Sequence, residues 1–190
     1  MGVKGEATTM DFNILATSER FTQSRAASEL WMHLRAIGDE NPKVTKLRIN
    51  GIIKAKTSMP PLEAIEKLRK ALHDKPSHFR ALLRILPIQN VIKTDLEEIA
   101  TASKEQASII PNDETYRITV EKRKTSFRSS HIIDAVAEVI DRKVDLENPD
   151  WVALVEVVGD YTGISIIPPS AILNIQKEKA AIFLRERHAQ

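Results

Sequence analysis

The dipeptide Asn50–Gly51 lies between two short runs of β-prone residues, Lys46–Ile49 and Ile52–Lys56. Both central residues of a tight hairpin turn must adopt a positive φ, which asparagine and glycine tolerate better than other residues. Because this dipeptide is the strongest short-range hairpin signal, the sequence predicts an antiparallel pair of strands here. The chain has 190 residues, enough for one large domain or two small ones.

A helix and a strand are predicted on each side of this hairpin. The strands are the β-prone runs Phe12–Ser18 and His78–Leu86. The helices are indicated by apolar residues at helical spacing, namely Ala26, Leu30, Leu34 and Ile37 in the first and Ile65, Leu68 and Leu72 in the second. The resulting order β-α-β-β-α-β is that of a ferredoxin-like domain, which we predict for residues 11–88.

The second half of the chain begins a new set of elements. The segment Thr94–Glu97 has the sequence of a capping box, with Thr94 as its first residue and Glu97 as its last. It predicts a helix that runs to about Ala107. The other predicted elements are a strand Tyr116–Lys124, a helix Ser130–Arg142, strands Trp151–Val158 and Ile164–Ile167, and a helix Ser170–Arg187. We therefore expect an α+β protein with a second α/β domain over residues 89–169, a C-terminal helix within 170–190 and a disordered tail at 1–10.

The net charge of +2 conceals a difference between the two halves of the chain. Residues 1–88 carry 15 basic and 9 acidic side chains, whereas residues 89–190 carry 13 basic and 17 acidic ones. Any nucleic-acid surface must therefore be local. The absence of cysteine excludes disulfides and cysteine-based zinc sites. Without a secretory signal or an apolar run of the ~20 residues that span a membrane, we expect a cytoplasmic protein with no membrane contact.

The segment Arg117–Ser130 concentrates five basic residues against a single acid, Glu121. It is predicted to leave a strand and enter a helix, where free backbone N–H groups add a partial positive charge. This arrangement is typical of a phosphate site, and RNA is the first polyanion to consider. A solvated surface loop is the alternative explanation. The candidate ligands are Arg117, Lys122, Arg123, Lys124, Arg128, Ser129 and Ser130.

The predicted hairpin forms a second basic segment, which carries no acid between Lys43 and Lys56. It supplies four further candidates, Lys46, Arg48, Lys54 and Lys56, although lysines also keep exposed hairpins soluble. Lys122 and Arg123 must point to opposite faces of a regular strand. Because arginine is the better bidentate phosphate ligand, we favour Arg123 and Arg128. Aromatic residues make up only 5% of the chain, so extensive base stacking is not indicated.

No motif for a nucleotide cofactor, a phosphate loop or a serine nucleophile is present. His73 and His78, and the acidic cluster Asp145, Glu147 and Asp150, are weak candidates for a metal site. His131 could contact a base or a phosphate, but a packing role explains it equally well. We therefore expect a protein without catalytic activity, metal or cofactor of its own.

Three stretches resemble the THUMP-domain family: Tyr116–Ser130, Lys143–Val157 (KVDLENPDWVALVEV) and Gly163–Ile167 (GISII). The resemblance covers about residues 89–168. It implies binding of tRNA at the acceptor stem and 3′ end, as in THUMP proteins that deliver tRNA to an attached modifying domain. No such domain is recognised in these 190 residues. The chain is thus most similar to stand-alone THUMP proteins that serve as tRNA-binding adaptors for the acetyltransferase that makes N4-acetylcytidine, and this implies tRNA and a separate acetyltransferase as partners.

Two alternatives stay open at this point. One is an RNA-modifying enzyme with an unrecognised site near His131 or the acidic cluster. The other is a protein-interaction module whose basic faces bind an acidic partner. In that case the apolar face of the C-terminal helix, formed by Ile172, Ile175, Ile182 and Phe183, could take part.

Overall fold

The computed structural model describes residues 10–188, which form two five-stranded sheets and five α-helices. The predicted α+β class is confirmed. Of the predicted disordered tail, residues 1–9 lie outside the described residues. None of the described helices is long and apolar enough to cross a membrane.

Four strands of the first sheet lie in the order β4-β1-β3-β2, with all neighbours antiparallel, and a fifth strand from the C-terminal segment joins the edge at β4. Its elements follow one another in the order predicted from the sequence. They are β1 (Ile14–Ser18), α1 (Gln23–Ala36), β2 (Lys43–Lys46), β3 (Ile52–Lys56), α2 (Pro61–Asp74) and β4 (Leu82–Pro87). Apolar residues on one face of the sheet pack against α1 and α2, as Ile14, Ile53 and Ile85 do against Leu30 and Leu68.

The hairpin between β2 and β3 differs from its prediction. β2 ends at Lys46, and only Gly51 of the predicted turn pair has a positive φ, 75°. The physical reason is the side chain of Gln23, whose Nε2 donates to the carbonyl oxygens of Leu47, Ile49 and Ile52 at 3.0, 3.1 and 2.7 Å. These contacts hold residues 47–51 as a compact loop against the start of α1, whereas the first strand was expected to continue to Ile49 and to be followed by a two-residue turn.

The second sheet has the order β5-β9-β8-β6-β7. Strand β6 is parallel to β7 and β8, whereas β9 is antiparallel to β5 and β8. Helices α3 and α4 cover one face. The elements are β5 (Asn90–Lys93), α3 (Leu96–Ala107), β6 (Thr115–Arg123), α4 (Ser129–Val139), β7 (Lys143–Val144), β8 (Trp151–Val158) and β9 (Tyr161–Ile167). The short edge strands β5 and β7 were not predicted.

The C-terminal segment returns to the first sheet. A short strand, β10 (Leu173–Asn174), pairs with β4, and α5 (Ile175–His188) follows. The predicted helix start at Ser170 is therefore wrong, because residues 169–171 form a 3-10 turn and the next residues complete the sheet. Glu178 of α5 bonds both Arg69 Nε and His73 Nε2 of α2, at 2.9 and 2.8 Å.

The free faces of the two sheets pack against each other through a shared apolar cluster. The first sheet contributes Leu15 and Leu86, and the second contributes Leu154 and Val158, all of them buried. This packing brings the loop between β2 and β3 next to the end of β6, where Lys124 reaches the backbone of Arg48.

Candidate nucleic-acid interface

The β6–α4 loop, residues 124–128, turns the chain from a strand into a helix N-terminus. Lys124 adopts the left-handed backbone region, with φ of 53°, and ends the strand. Helix α4 begins at Ser129 after Arg128, with no side-chain cap and no acidic residue in its first turn. The first N–H groups of an α-helix have no partner within the helix and carry a partial positive charge. The predicted strand-to-helix transition is thus present at the predicted position.

The two basic segments touch through Arg48 and Lys124, which are 76 residues apart in sequence. Lys124 Nζ donates to the carbonyl oxygen of Arg48 at 2.5 Å. Arg48 and Arg128 are exposed, and no hydrogen bond or ion pair within residues 10–188 engages either guanidinium. Lys46, two residues before Arg48, is also exposed and donates to Ser24 Oγ at 2.8 Å. We call the surface formed by Lys46, Arg48, Lys124 and Arg128 the basic junction.

Arg123 faces the contact between the sheets, whereas Lys122 is exposed on the opposite face of the strand. The guanidinium of Arg123 donates to Glu156 Oε2 at 3.1 Å and lies 3.8 Å from Glu121 Oε2, with only 25% of the side chain exposed. Two acidic side chains therefore already engage its guanidinium, and a phosphate would have to compete with them. Arg128, the other favoured residue, meets no such competition in the described part of the chain.

Glu156 was not singled out by the sequence pattern. Its side chain is buried between the sheets, and Oε1 has no hydrogen-bond partner among the described residues. Burial raises the pKa of Glu156 to about 7, against the opposing attraction of Arg123 and Arg84. The only sequence signal is one carboxylate in the apolar run of β8, WVALVEVV.

Residues 93–167, which span α3, α4 and most of the second sheet, match the family model described as THUMP domain. The chain contains a THUMP domain. THUMP domains are RNA-binding modules, so this part of the protein belongs to an RNA-binding class of domain.

A curated relative and two solved structures are similar over a larger part of the chain. An uncharacterized protein of Methanocaldococcus jannaschii is 31% identical over 113 residues, which cover 57% of this chain and 31% of the relative. The crystal structure of PH1313 from Pyrococcus horikoshii aligns with a TM-score of 0.61 at 15% identity, covering 83% of this chain and 55% of that one. A 4-thiouridine synthetase–RNA complex aligns with a TM-score of 0.51 at 15% identity, covering 83% of this chain and 42% of that one. At these identities the two structures show the fold alone, and this chain spans about a third to a half of the length of these proteins.

The other predicted ligands lie outside the basic junction. Arg117 is at the opposite end of β6 from Arg123, roughly 20 Å away at 3.3 Å per residue, and donates to the Leu146 carbonyl. Lys54 and Lys56 are half-buried on β3, and Lys56 forms an ion pair with Asp11 at 2.7 Å. The structure thus brings together part of the predicted set and disperses the rest along two strands.

A polar cleft of about 480 Å³ adjoins the β6–α4 loop of the THUMP domain. The β8–β9 turn and the end of β5 form its other walls. Lys93 and Lys124 make it basic, and Asp160 is its one acidic lining residue. Because Lys124 lines the cleft and also touches Arg48, the cleft continues the basic junction.

Two of the three acidic residues considered for metal binding, Asp145 and Asp150, have structural roles. Asp145 accepts from the backbone N–H groups of residues 147 and 148, and Asp150 accepts from Thr115 N and Oγ1. These hydrogen bonds hold the pKa values of both carboxyls below their usual range. Within residues 10–188, no three His, Asp or Glu side chains lie close enough together to hold a metal ion.

Proposed function

We propose that this protein binds tRNA at its acceptor and 3′-end region and presents it to a separate modification enzyme, without catalysing the reaction itself. The single observation that carries the proposal is the contact of Lys124 with Arg48. This contact joins the open N-terminus of α4 in the THUMP domain to the basic hairpin of the first sheet. The result is one continuous positive surface built from both halves of the chain, as a long polyanion requires.

We interpret the first unit as a ferredoxin-like domain. The interpretation is supported by its antiparallel strand order β4-β1-β3-β2 and by the two helices on one face of the sheet. In this arrangement the hairpin loop is a fixed part of the RNA surface, because Gln23 bonds three of its carbonyls.

We propose a cytidine acetyltransferase that forms N4-acetylcytidine as the enzyme partner. This choice is supported by the resemblance to the stand-alone THUMP proteins. The adaptor role requires that the purified protein bind tRNA and leave it chemically unchanged. It also requires that tRNA acetylation by the enzyme depend on this protein.

The binding half of the proposal is tested by the salt dependence of tRNA affinity. On duplex nucleic acid, log K falls with log salt by about 0.9 for each phosphate neutralised. Arg128→Ala and Arg48→Ala should each weaken binding and lower that slope by about one contact. Lys70→Ala, which removes an exposed charge from α2, is the matched control and should behave like wild type. Wild-type affinity and slope in both junction variants would refute the proposed surface.

The adaptor half is tested by mass spectrometry of tRNA nucleosides. tRNA is incubated with acetyl-CoA and the protein alone, the acetyltransferase alone, or both together. N4-acetylcytidine should form only in the complete mixture, and Arg128→Ala should reduce it in proportion to lost tRNA binding. Formation with the protein alone would make it an enzyme and contradict the proposal.

A further inference from the structure

Phe21 lies in the loop between β1 and α1. Both the exposure of its side chain and its backbone conformation are unfavourable for phenylalanine. Its side chain is fully exposed, so no part of the ring packs against the protein. Its backbone adopts the left-handed region, with φ of 69°, where bulky residues are true outliers. Glycine or asparagine would suit this backbone better, and a polar side chain would suit the exposure better. Such an outlier motivates a search for a function.

The ring stands beside a small polar concavity of about 170 Å³. The concavity lies between the first turn of α1 and the tip of the hairpin loop. Arg20, Gln23 and Ser24 line one side, and Asn50 and Gly51 line the other. Apart from Phe21 and Gly51, its lining residues carry polar side chains that can form hydrogen bonds. A nucleobase offers a flat face to the ring and polar edges to the surrounding amides and hydroxyl.

The loop that carries the concavity is held in place. Ser18 N donates to Gly51 O at 2.9 Å, and a Cβ at Gly51 would lie 2.6 Å from Ser18 O. The hairpin tip is therefore in close contact with the end of β1, three residues before Phe21. The same hairpin loop carries Arg48, which touches Lys124. Ser24, which lines the concavity, accepts from Lys46 Nζ at 2.8 Å, so the concavity adjoins the basic junction.

We propose that Phe21 stacks on one unpaired nucleobase of the bound RNA while Arg20 and Arg48 contact the neighbouring phosphates. This inference rests on the proposed RNA binding. It adds a single stacking position to a chain whose low aromatic content indicates no extended stacking surface.

The test uses two synthetic RNA hairpins with the same stem, one blunt and one with a single-stranded 3′ tail. Phe21→Ala should weaken binding of the tailed RNA roughly tenfold, because one base would lose the aromatic ring on which it stacks. Binding of the blunt RNA should be unchanged, as should the salt slope on both RNAs, because the ring carries no charge. Phe21→Trp should bind the tailed RNA like wild type, with its indole fluorescence quenched on binding. Phe183→Ala, which removes an exposed ring from α5, is the matched control and should bind both RNAs like wild type.

Phe21→Leu separates stacking from simple apolar contact, since it keeps the bulk and removes the aromatic face. The inference predicts that it behaves like Phe21→Ala. If Phe21→Leu binds like wild type, or Phe21→Ala has no effect on the tailed RNA, stacking is refuted while RNA binding stands. An exposed ring that serves a protein partner would give that second result. If the wild-type protein binds neither RNA, both the inference and the proposed function fail.

Discussion

Replacing Glu156 by glutamine should change how the stability of the protein depends on pH. The carboxyl lies between the two sheets, accepts from Arg123 at 3.1 Å and has one oxygen without a partner among the described residues. Burial raises its pKa from the ordinary value of 4.5 to about 7. The folded protein therefore binds a proton in this range that the unfolded chain has released.

The sign and size of the effect follow from linkage. A raised folded-state pKa gives stability that is complete below the unfolded pKa and is lost as pH rises through the folded one. A shift from 4.5 to about 7 corresponds to roughly 3 kcal/mol, since one pKa unit is about 1.4 kcal/mol. Glutamine keeps the shape and the acceptor for Arg123 but does not titrate. Glu156→Gln should therefore gain up to roughly 3 kcal/mol over wild type between about pH 5 and about pH 8.

The assay is urea unfolding of both proteins across this pH range, with the difference in free energy of unfolding plotted against pH. Taking the difference removes the contribution of other titrating groups, such as His33, whose pKa is lowered by burial. A difference in free energy of unfolding that does not change with pH would refute the claim that Glu156 is a buried carboxyl that binds a proton. A wild-type advantage that grows with pH would show that the attraction of Arg123 outweighs burial, and the reasoning would be wrong.

Three further predictions concern stability. Gly51→Ala should destabilise the protein by at least about 1 kcal/mol in urea unfolding, because its φ of 75° and the 2.6 Å approach to Ser18 O both disfavour a Cβ; wild-type stability would contradict the turn geometry. Leu154→Ala should cost about 2–5 kcal/mol by removing a fully buried side chain between the sheets; a loss within the error of surface variants would argue against that contact. Asp95→Ala should cost about 1 kcal/mol by thermal or urea unfolding, because Asp95 caps α3 by accepting from two backbone N–H groups, whereas the exposed Glu105→Ala should have little effect.

Much of the fold follows from local signals in the sequence. The order of elements in the first sheet could be predicted because Asn50–Gly51 marks the hairpin and the apolar stripes of α1 and α2 have clear helical spacing. The start of α3 was predicted to within one residue, because the expected cap was Thr94 whereas Asp95 is the N-cap and Thr94 donates to the Gly159 carbonyl. The strand-to-helix transition near Ser129 was likewise visible in a short segment.

The details that failed depend on tertiary contacts. The strand predicted to reach Ile49 ends at Lys46 because Gln23, distant in sequence, bonds the loop carbonyls. The helix predicted from Ser170 begins at Ile175 because the preceding residues pair with β4. No local pattern predicts the burial of Glu156, which depends on the packing of two sheets.

The candidate site likewise combines features that are visible in the local sequence with features that depend on tertiary contacts. The five basic residues of Arg117–Ser130 are evident in the sequence, but their grouping is not. Alternation along the strand places Lys122 and Arg123 on opposite faces, as predicted, and the structure adds that Arg123 meets Glu156. The contact of Lys124 with Arg48 joins residues of two different sheets and could be found only from the fold.

The central claim is that RNA lies across the basic junction, and crosslinking tests it most directly. Wild-type protein is crosslinked to total tRNA, and both the attached peptides and the attached nucleotides are identified by mass spectrometry and sequencing. The account predicts crosslinks in the hairpin loop at residues 46–51 and in the β6–α4 loop at 124–128, to nucleotides of the acceptor end. Crosslinks confined to other surfaces of the protein, or to nucleotides away from the acceptor end, would contradict it.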